Sequence, residues 1–135
     1  MSKWAFVSML AAALLCAQAV AAEWSPIKME ENTVREVDTA SITRNGPVVM
    51  FDARHTFADL NEYKVKRHEV KYLLIHYRAN CISRNLAQLA TEAYDEKMVL
   101  ISKQQIQLPK DWPVSKGSID EATLNFVCEA GKPRS

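Results

Sequence analysis

Three histidines, His55, His68 and His76, are the only imidazoles in the 135-residue chain. A general base or a metal ligand would be sought among them first. His76 stands between Ile75 and Tyr77, and Asp52 and Arg54 lie upstream, two residues apart. A small hydrolase built here would use His76 as base and Asp52 to orient it. The neighbouring residues favour a blander reading. A histidine flanked by apolar residues in a strand reads as a core residue bonded to one neighbour. Asp52 and Arg54 share a strand face and read as an ion pair. Glu30 and Glu31 are adjacent, so a strand would point them apart and they make no paired-carboxylate site. The glycines, Gly46, Gly117 and Gly131, are isolated. They cannot write a dinucleotide fingerprint, a phosphate loop or a nucleophile elbow. No C-x-x-C pair occurs, and no histidine falls at ligand spacing with a cysteine. The residues therefore predict a non-enzymatic protein with no catalytic residue, no metal site and no cofactor.

The most polarised stretch is Tyr63-Lys64-Val65-Lys66-Arg67-His68-Glu69-Val70-Lys71-Tyr72, followed by Arg78 and Arg84. Charge runs of this kind are usually solvated edges. As a binding surface it would comprise Lys64, Lys66, Arg67, Lys71, Tyr72, Arg78 and Arg84. Tyrosine and arginine suit interface anchors, and lysine steers a charged partner. Nucleic acid is excluded by charge: 17 basic residues face 16 acidic ones, a balance too even for a phosphate-binding protein.

Lys3, the uncharged run Trp4–Leu15 and the small residues Ala19-Val20-Ala21-Ala22 read as a secretory signal peptide over residues 1–22, cut before Ala22 or before Glu23. Gln18 and the small-residue cleavage pattern argue against a membrane helix. Lipidation at Cys16 would want a small residue before the cysteine, where Leu15 stands. Removal of the leader leaves 23–135 as a single domain, with no transmembrane segment, in the periplasm or on the bacterial surface. It also leaves two cysteines, Cys81 and Cys128, which in an exported chain read as a disulfide.

Alternating apolar residues predict strands over most of the mature chain. Trp24–Met29 and Thr33–Val37 flank a turn at Glu30-Glu31-Asn32. Asp38–Ile42 reads as a short helical turn begun by the Asp38 carboxylate, and Asn45-Gly46 as a tight turn. Val48–Phe57 is a long strand with Val49, Phe51, Ala53, His55 and Phe57 on one face. Ala58–Arg67 is a polar loop, and Glu69–Asn80 a central strand covered on both sides. Ile82–Tyr94 and Met98–Ile106 read as a hairpin about Asp95-Glu96-Lys97. Asn85–Tyr94 has equal helical propensity, and strand is favoured because its neighbours are strands and the turn spacing fits a meander. Ser118 to Glu121 is a capping box opening a helix that Gly131 and Pro133 close. The class is α+β: a mainly antiparallel β-sheet with a C-terminal α-helix packed on one face and tied to it by the disulfide.

In this order the chain resembles the surface-adhesin protein E family of Gram-negative bacteria. The resemblance rests on Trp24, on Asp38-Thr39-Ala40-Ser41-Ile42 with Arg44 and Gly46, on Cys81 with Arg84, on Tyr94, and on Trp112, Val114, Gly117-Ser118 and Cys128. Thr39 stands where the family usually has proline, and Lys116 precedes Gly117-Ser118 where proline is usual. The resemblance implies a curved antiparallel sheet, a helix fixed by Cys81–Cys128, and an envelope or surface location. It brings no catalytic or metal-binding residues. Named members are adhesins for host matrix proteins, so the partners implied are host extracellular-matrix or envelope proteins. The alternative is a soluble periplasmic accessory or envelope-stress protein without a host partner. Pairing with a second copy through a sheet edge is left open.

Overall fold

A computed structural model describes residues 21–30 and 33–131. The leader read in 1–22, with Cys16, lies almost wholly outside the described residues, as do Glu31, Asn32 and Pro133. The strands are β1 (Trp24–Glu30), β2 (Thr33–Asn45), β3 (Val48–Phe57), β4 (Lys64–Val65), β5 (His68–Glu69), β6 (Tyr72–Asn80), β7 (Asn85–Tyr94), β8 (Leu100–Gln105) and β9 (Trp112–Pro113). One helix, α1 (Ile119–Ala130), follows. Seven strands form one antiparallel sheet in the order β1-β2-β3-β6-β7-β8, with β9 also on β7. The later half of β7 pairs with β8 and its first residues with β9. β4 and β5 make a separate small hairpin. Among the described residues no helix is long and apolar enough to cross a membrane.

Asn45 pairs with Val48 across Gly46-Pro47, where Gly46 takes the positive φ that its missing Cβ permits. The Asp38–Ile42 expectation needs correction. The Asp38 carboxylate does accept the Ala40 N–H at 3.0 Å, and the Ser41 hydroxyl donates to the Asp38 carbonyl at 2.6 Å. These bonds close a bulge inside β2, not a helical turn, because β3 continues to pair on both sides, Asp38 with Asp52 and Thr43 with Met50. The central strand is also shorter than Glu69–Asn80: Glu69 belongs to β5, and β6 begins at Tyr72.

Among the described residues only one face of the sheet is covered by a helix, and β6 alternates from Ile75 onward between buried and half-buried positions, so it is not buried on both sides. Val37, Val49, Phe51, Ala53, Ile75, Tyr77, Ala79 and Leu86 pack beneath Leu124 and Val127 of α1. Phe51 and Tyr77 stack with ring centroids 5.2 Å apart, and Trp112 meets Tyr77 edge-on at 6.5 Å. Ser118 caps α1 by accepting the Glu121 N–H at 3.1 Å, while Glu121 reaches back to the Gly117 N–H at 3.1 Å. A Cβ on Gly131 would stand 3.0 Å from the Val127 carbonyl and 3.5 Å from Val49, so glycine lets the helix end settle on β3.

Two attachments hold α1. Cys81, just after β6, is bonded to Cys128 in the last turn, with Cα atoms 5.8 Å apart and a sequence separation of 47. At the other end Arg35 reaches from β2 to Asp120, Nη1 to Oδ1 2.6 Å, and to Thr123 Oγ1 at 3.4 Å. Trp112 Nε1 donates to the other Asp120 oxygen at 3.4 Å. His55, the β3 partner of Arg35, is buried beside this pair. Burial, and then the Arg35 charge, lower its pKa to about 3 against a smaller opposing pull from Asp120. Burial also pushes the Tyr77 hydroxyl up to about 12.

Replacing either cysteine, as in Cys81→Ser, should cost about 2–5 kcal/mol in urea unfolding; a loss below about 1 kcal/mol would mean the Arg35 end holds the helix unaided. The buried imidazole gives a pH signature. Unfolded, His55 takes a proton near 6.5, but folded only near 3. The stability owed to its neutral form is complete above pH 6.5 and is lost as the pH falls toward 3, by up to about 1.4 kcal/mol per pH unit. Urea midpoints measured from pH 7 to 4 should therefore fall more steeply in the native protein than in His55→Gln, and equal slopes would remove His55 as the cause.

Candidate functional site

The basic segment folds into the β4–β5 hairpin, with Lys64 opposite Glu69 and Val65 opposite His68. Its two-residue turn is Lys66-Arg67, and both residues have positive φ, 51° and 68°. Such turns are normally made by Asn-Gly, because a Cβ in this region costs about 1 kcal/mol or more. Here two exposed cations occupy it instead. The hairpin is held from beneath by a second apolar cluster: Phe57, Val70 and Ala93, with Val65, Leu73 and Ile101 packed on it. Tyr63 stacks on Phe57 at 5.4 Å, and Val70 N–H donates to the Tyr63 carbonyl at 3.1 Å.

Beside this hairpin the β7–β8 turn is closed by Asp95, whose carboxylate accepts the N–H groups of Lys97 and Val99 at 2.8 and 2.9 Å. Between the two lies an open groove of about 450 Å³, with Lys64, Arg67, His68 and Lys97 facing Glu69 and Asp95. Met98, Val99 and Leu100 follow, all exposed. The end of the sheet thus carries cations, carboxylates and a short apolar run within one area, a mixture that suits a protein or polysaccharide surface better than a small ligand.

The structure does not bring the seven predicted residues together. Lys64, Lys66 and Arg67 share the hairpin, and Lys71 follows it, donating its N–H to the Tyr94 carbonyl at 2.9 Å. Tyr72 turns onto the open face of the sheet, 5.9 Å from the Arg54 guanidinium. Arg78 is paired with Asp111 at 3.2 Å. Arg84 lies beyond the far end of β6, beside the disulfide, and donates to Asn125 at 2.6 Å. The nine residues of β6 separate these ends by roughly 25–30 Å.

The open face holds what the sequence misassigned. His76 is not packed in the core. Its Nδ1 lies 2.5 Å from Asp52 Oδ1, and both side chains are 42% exposed. Asp52 therefore pairs with His76, and Arg54 with Glu36, Nη2 to Oε1 2.9 Å. The Arg54 guanidinium also lies 4.3 Å over the Trp24 ring. Glu92 bonds the Tyr94 hydroxyl and Lys103. The sequence brought Asp52 and His76 forward as a hydrolase pair, and they do meet. The dimple they share with Leu74, Ala90 and Glu92 is only about 80 Å³, room for two or three waters. The Ser41 hydroxyl is committed to the Asp38 carbonyl and the Asp52 N–H. No group of three metal-ligating side chains occurs among the described residues.

Sequence reading missed the Arg35–His55–Asp120 cluster and the stacking of Arg54 on Trp24. The first had a signal. Period-two alternation puts Arg35 on the face of Val37 and His55 on the face of Ala53, so two polar side chains had to share the covered face.

The surface-adhesin protein E family model matches residues 24–129. Among solved structures, protein E of Haemophilus influenzae in its crystal form II is 18% identical. That comparison covers 83% of this chain and 99% of the other, with a TM-score of 0.55. A second structure of Haemophilus influenzae protein E is 17% identical over 84% and 97% of the two chains, with a TM-score of 0.54. Protein E from non-typeable Haemophilus influenzae is 19% identical over 84% and 78%, at 0.51. Among curated proteins none matches. At these identities the structures establish a shared fold, and the family match extends from the first strand to the last turn of the helix. The chain belongs to the surface-adhesin protein E family.

Proposed function

We propose that this protein is an exported envelope protein whose work is binding, not catalysis, and that its partner is a host extracellular-matrix protein or polysaccharide. The family match over 24–129 carries this reading. The export signal read in residues 1–22 and the disulfide agree with an oxidising compartment. The binding surface is the β4–β5 end of the sheet. Lys64, Lys66 and Arg67 stand there on a turn whose backbone is strained, and strained turns that persist on a well-packed base are a recurrent feature of functional surfaces. Arg78 and Arg84, held by Asp111 and Asn125, belong to the scaffold.

The chain with Lys64, Lys66, Arg67 and Lys71 all changed to Glu should bind immobilised matrix proteins or heparin at least about ten-fold more weakly, since each lost charge contact is worth a few tenths of a kcal/mol or more. Arg84→Glu serves as the control and should bind like the native protein. Equal binding by the four-fold variant would remove the hairpin as the surface. Protease treatment of intact cells separates this function from that of a soluble periplasmic accessory protein: an adhesin is digested, and a periplasmic protein is protected.

A further inference from the structure

Asp38 is a buried carboxylate, 9% exposed, that lies opposite Asp52 in the β2–β3 register. Among the described residues no side-chain cation pairs with it. Its Oδ1 accepts two backbone N–H groups instead: Ala40 at 3.0 Å and Glu23 at 2.8 Å. The second is the informative one. Glu23 is fixed from three directions: its N–H on Asp38, its carbonyl on the Thr39 N–H at 2.8 Å and on the Thr39 hydroxyl at 3.2 Å, and its carboxylate on the same hydroxyl at 3.1 Å. The neighbouring Ala22 is exposed and lies outside the strand.

We propose that processing cuts the chain between Ala22 and Glu23, and that the α-ammonium group so created is the charge partner of Asp38, locking β1 onto β2. The proposal rests on the export signal read in residues 1–22. The sequence left two cut positions open, before Ala22 or before Glu23. Only the second turns the nitrogen already 2.8 Å from Asp38 Oδ1 into a cation. Hydrolysis of the Ala22–Glu23 peptide bond adds one water: its oxygen joins the Ala22 carbonyl carbon, and the Glu23 nitrogen leaves as an amine that takes up a proton at neutral pH. A neutral N–H···carboxylate bond thereby becomes an ion pair, the stronger of the two interactions. It also relieves a buried carboxylate that faces a second acid across the strand pair.

The test compares two purified chains, one beginning at Glu23 and one at Ala22, each released from a fusion without extra residues. At pH 6.5 the Glu23 chain should have a folding equilibrium constant about five- to ten-fold larger. An amine paired with a carboxylate is more basic when folded than its ordinary 7.7–8.0. The advantage is therefore complete below about pH 7.7 and is lost as the pH rises through the folded-state value. In Asp38→Asn the two chains should be equally stable. Should that variant fail to fold, acylation of the native α-amine decides the matter. At pH 7 the Glu23 chain should react several-fold more slowly than the Ala22 chain. Equal stabilities, equal acylation rates, or an advantage that survives in Asp38→Asn would each overturn the ion pair. Mass spectrometry of the exported protein tests the cut separately: a first residue other than Glu23 overturns the processing step, whatever the purified chains show.

Discussion

One helix clamped across one face of a sheet is the constraint on which the rest of this molecule depends. A domain of this size buries only about two-thirds of its unfolded surface, so a loosely attached helix would leave Phe51, Tyr77 and Leu86 wet. The clamp has two unlike jaws. The Cys81–Cys128 bond limits how far the unfolded chain can spread. Arg35–Asp120 fixes the other end by charge in a place where charge is expensive. That expense is reduced by surrounding donors and acceptors: Thr123 shares the guanidinium, and Trp112 shares the carboxylate. His55 beside them stays neutral because burial, and then the Arg35 charge, outweigh the opposing pull of Asp120.

Covering one face leaves the other to be managed. An exposed antiparallel face is ordinarily polar, and this one is polar in a particular way. Its polar side chains form cross-strand pairs: Glu36 with Arg54, Asp52 with His76, Lys103 with Glu92. Its largest apolar groups, Trp24 and Tyr72, lie against a guanidinium. Each such pair contributes little to stability where water reaches it. Together they leave Glu36, Arg54, Asp52, His76 and Glu92 already engaged with neighbouring strands.

The strands were legible because apolar alternation is a local property. Val48–Phe57 was bounded correctly, and so was the helix from its Ser118 cap. What the sequence hid was long-range. His76 looked buried because Ile75 and Tyr77 flank it, yet in a strand the flanking residues point to the opposite face, and Leu74 and Arg78 are its true companions. Asp52 and Arg54 looked like each other's partners because they are two apart, and each found a partner on the adjacent strand. The basic segment was recognised as one stretch, but a strand carries its ends far apart, so Arg78 and Arg84 left the site that Lys64 to Arg67 occupy.

The separation of those ends explains how the fold can support a strained, charged turn at all. The disulfide lies at one end of β6 and the β4–β5 hairpin at the other. The hairpin rests on its own cluster of Phe57, Val70 and Ala93, distinct from the core under the helix. Strain in Lys66 and Arg67 is therefore borne locally, by Tyr63 on Phe57 and by the buried Val70, without loosening the helix clamp. A change at that turn therefore leaves the helix and its sheet in place, as expected of an exposed loop carried on a packed scaffold.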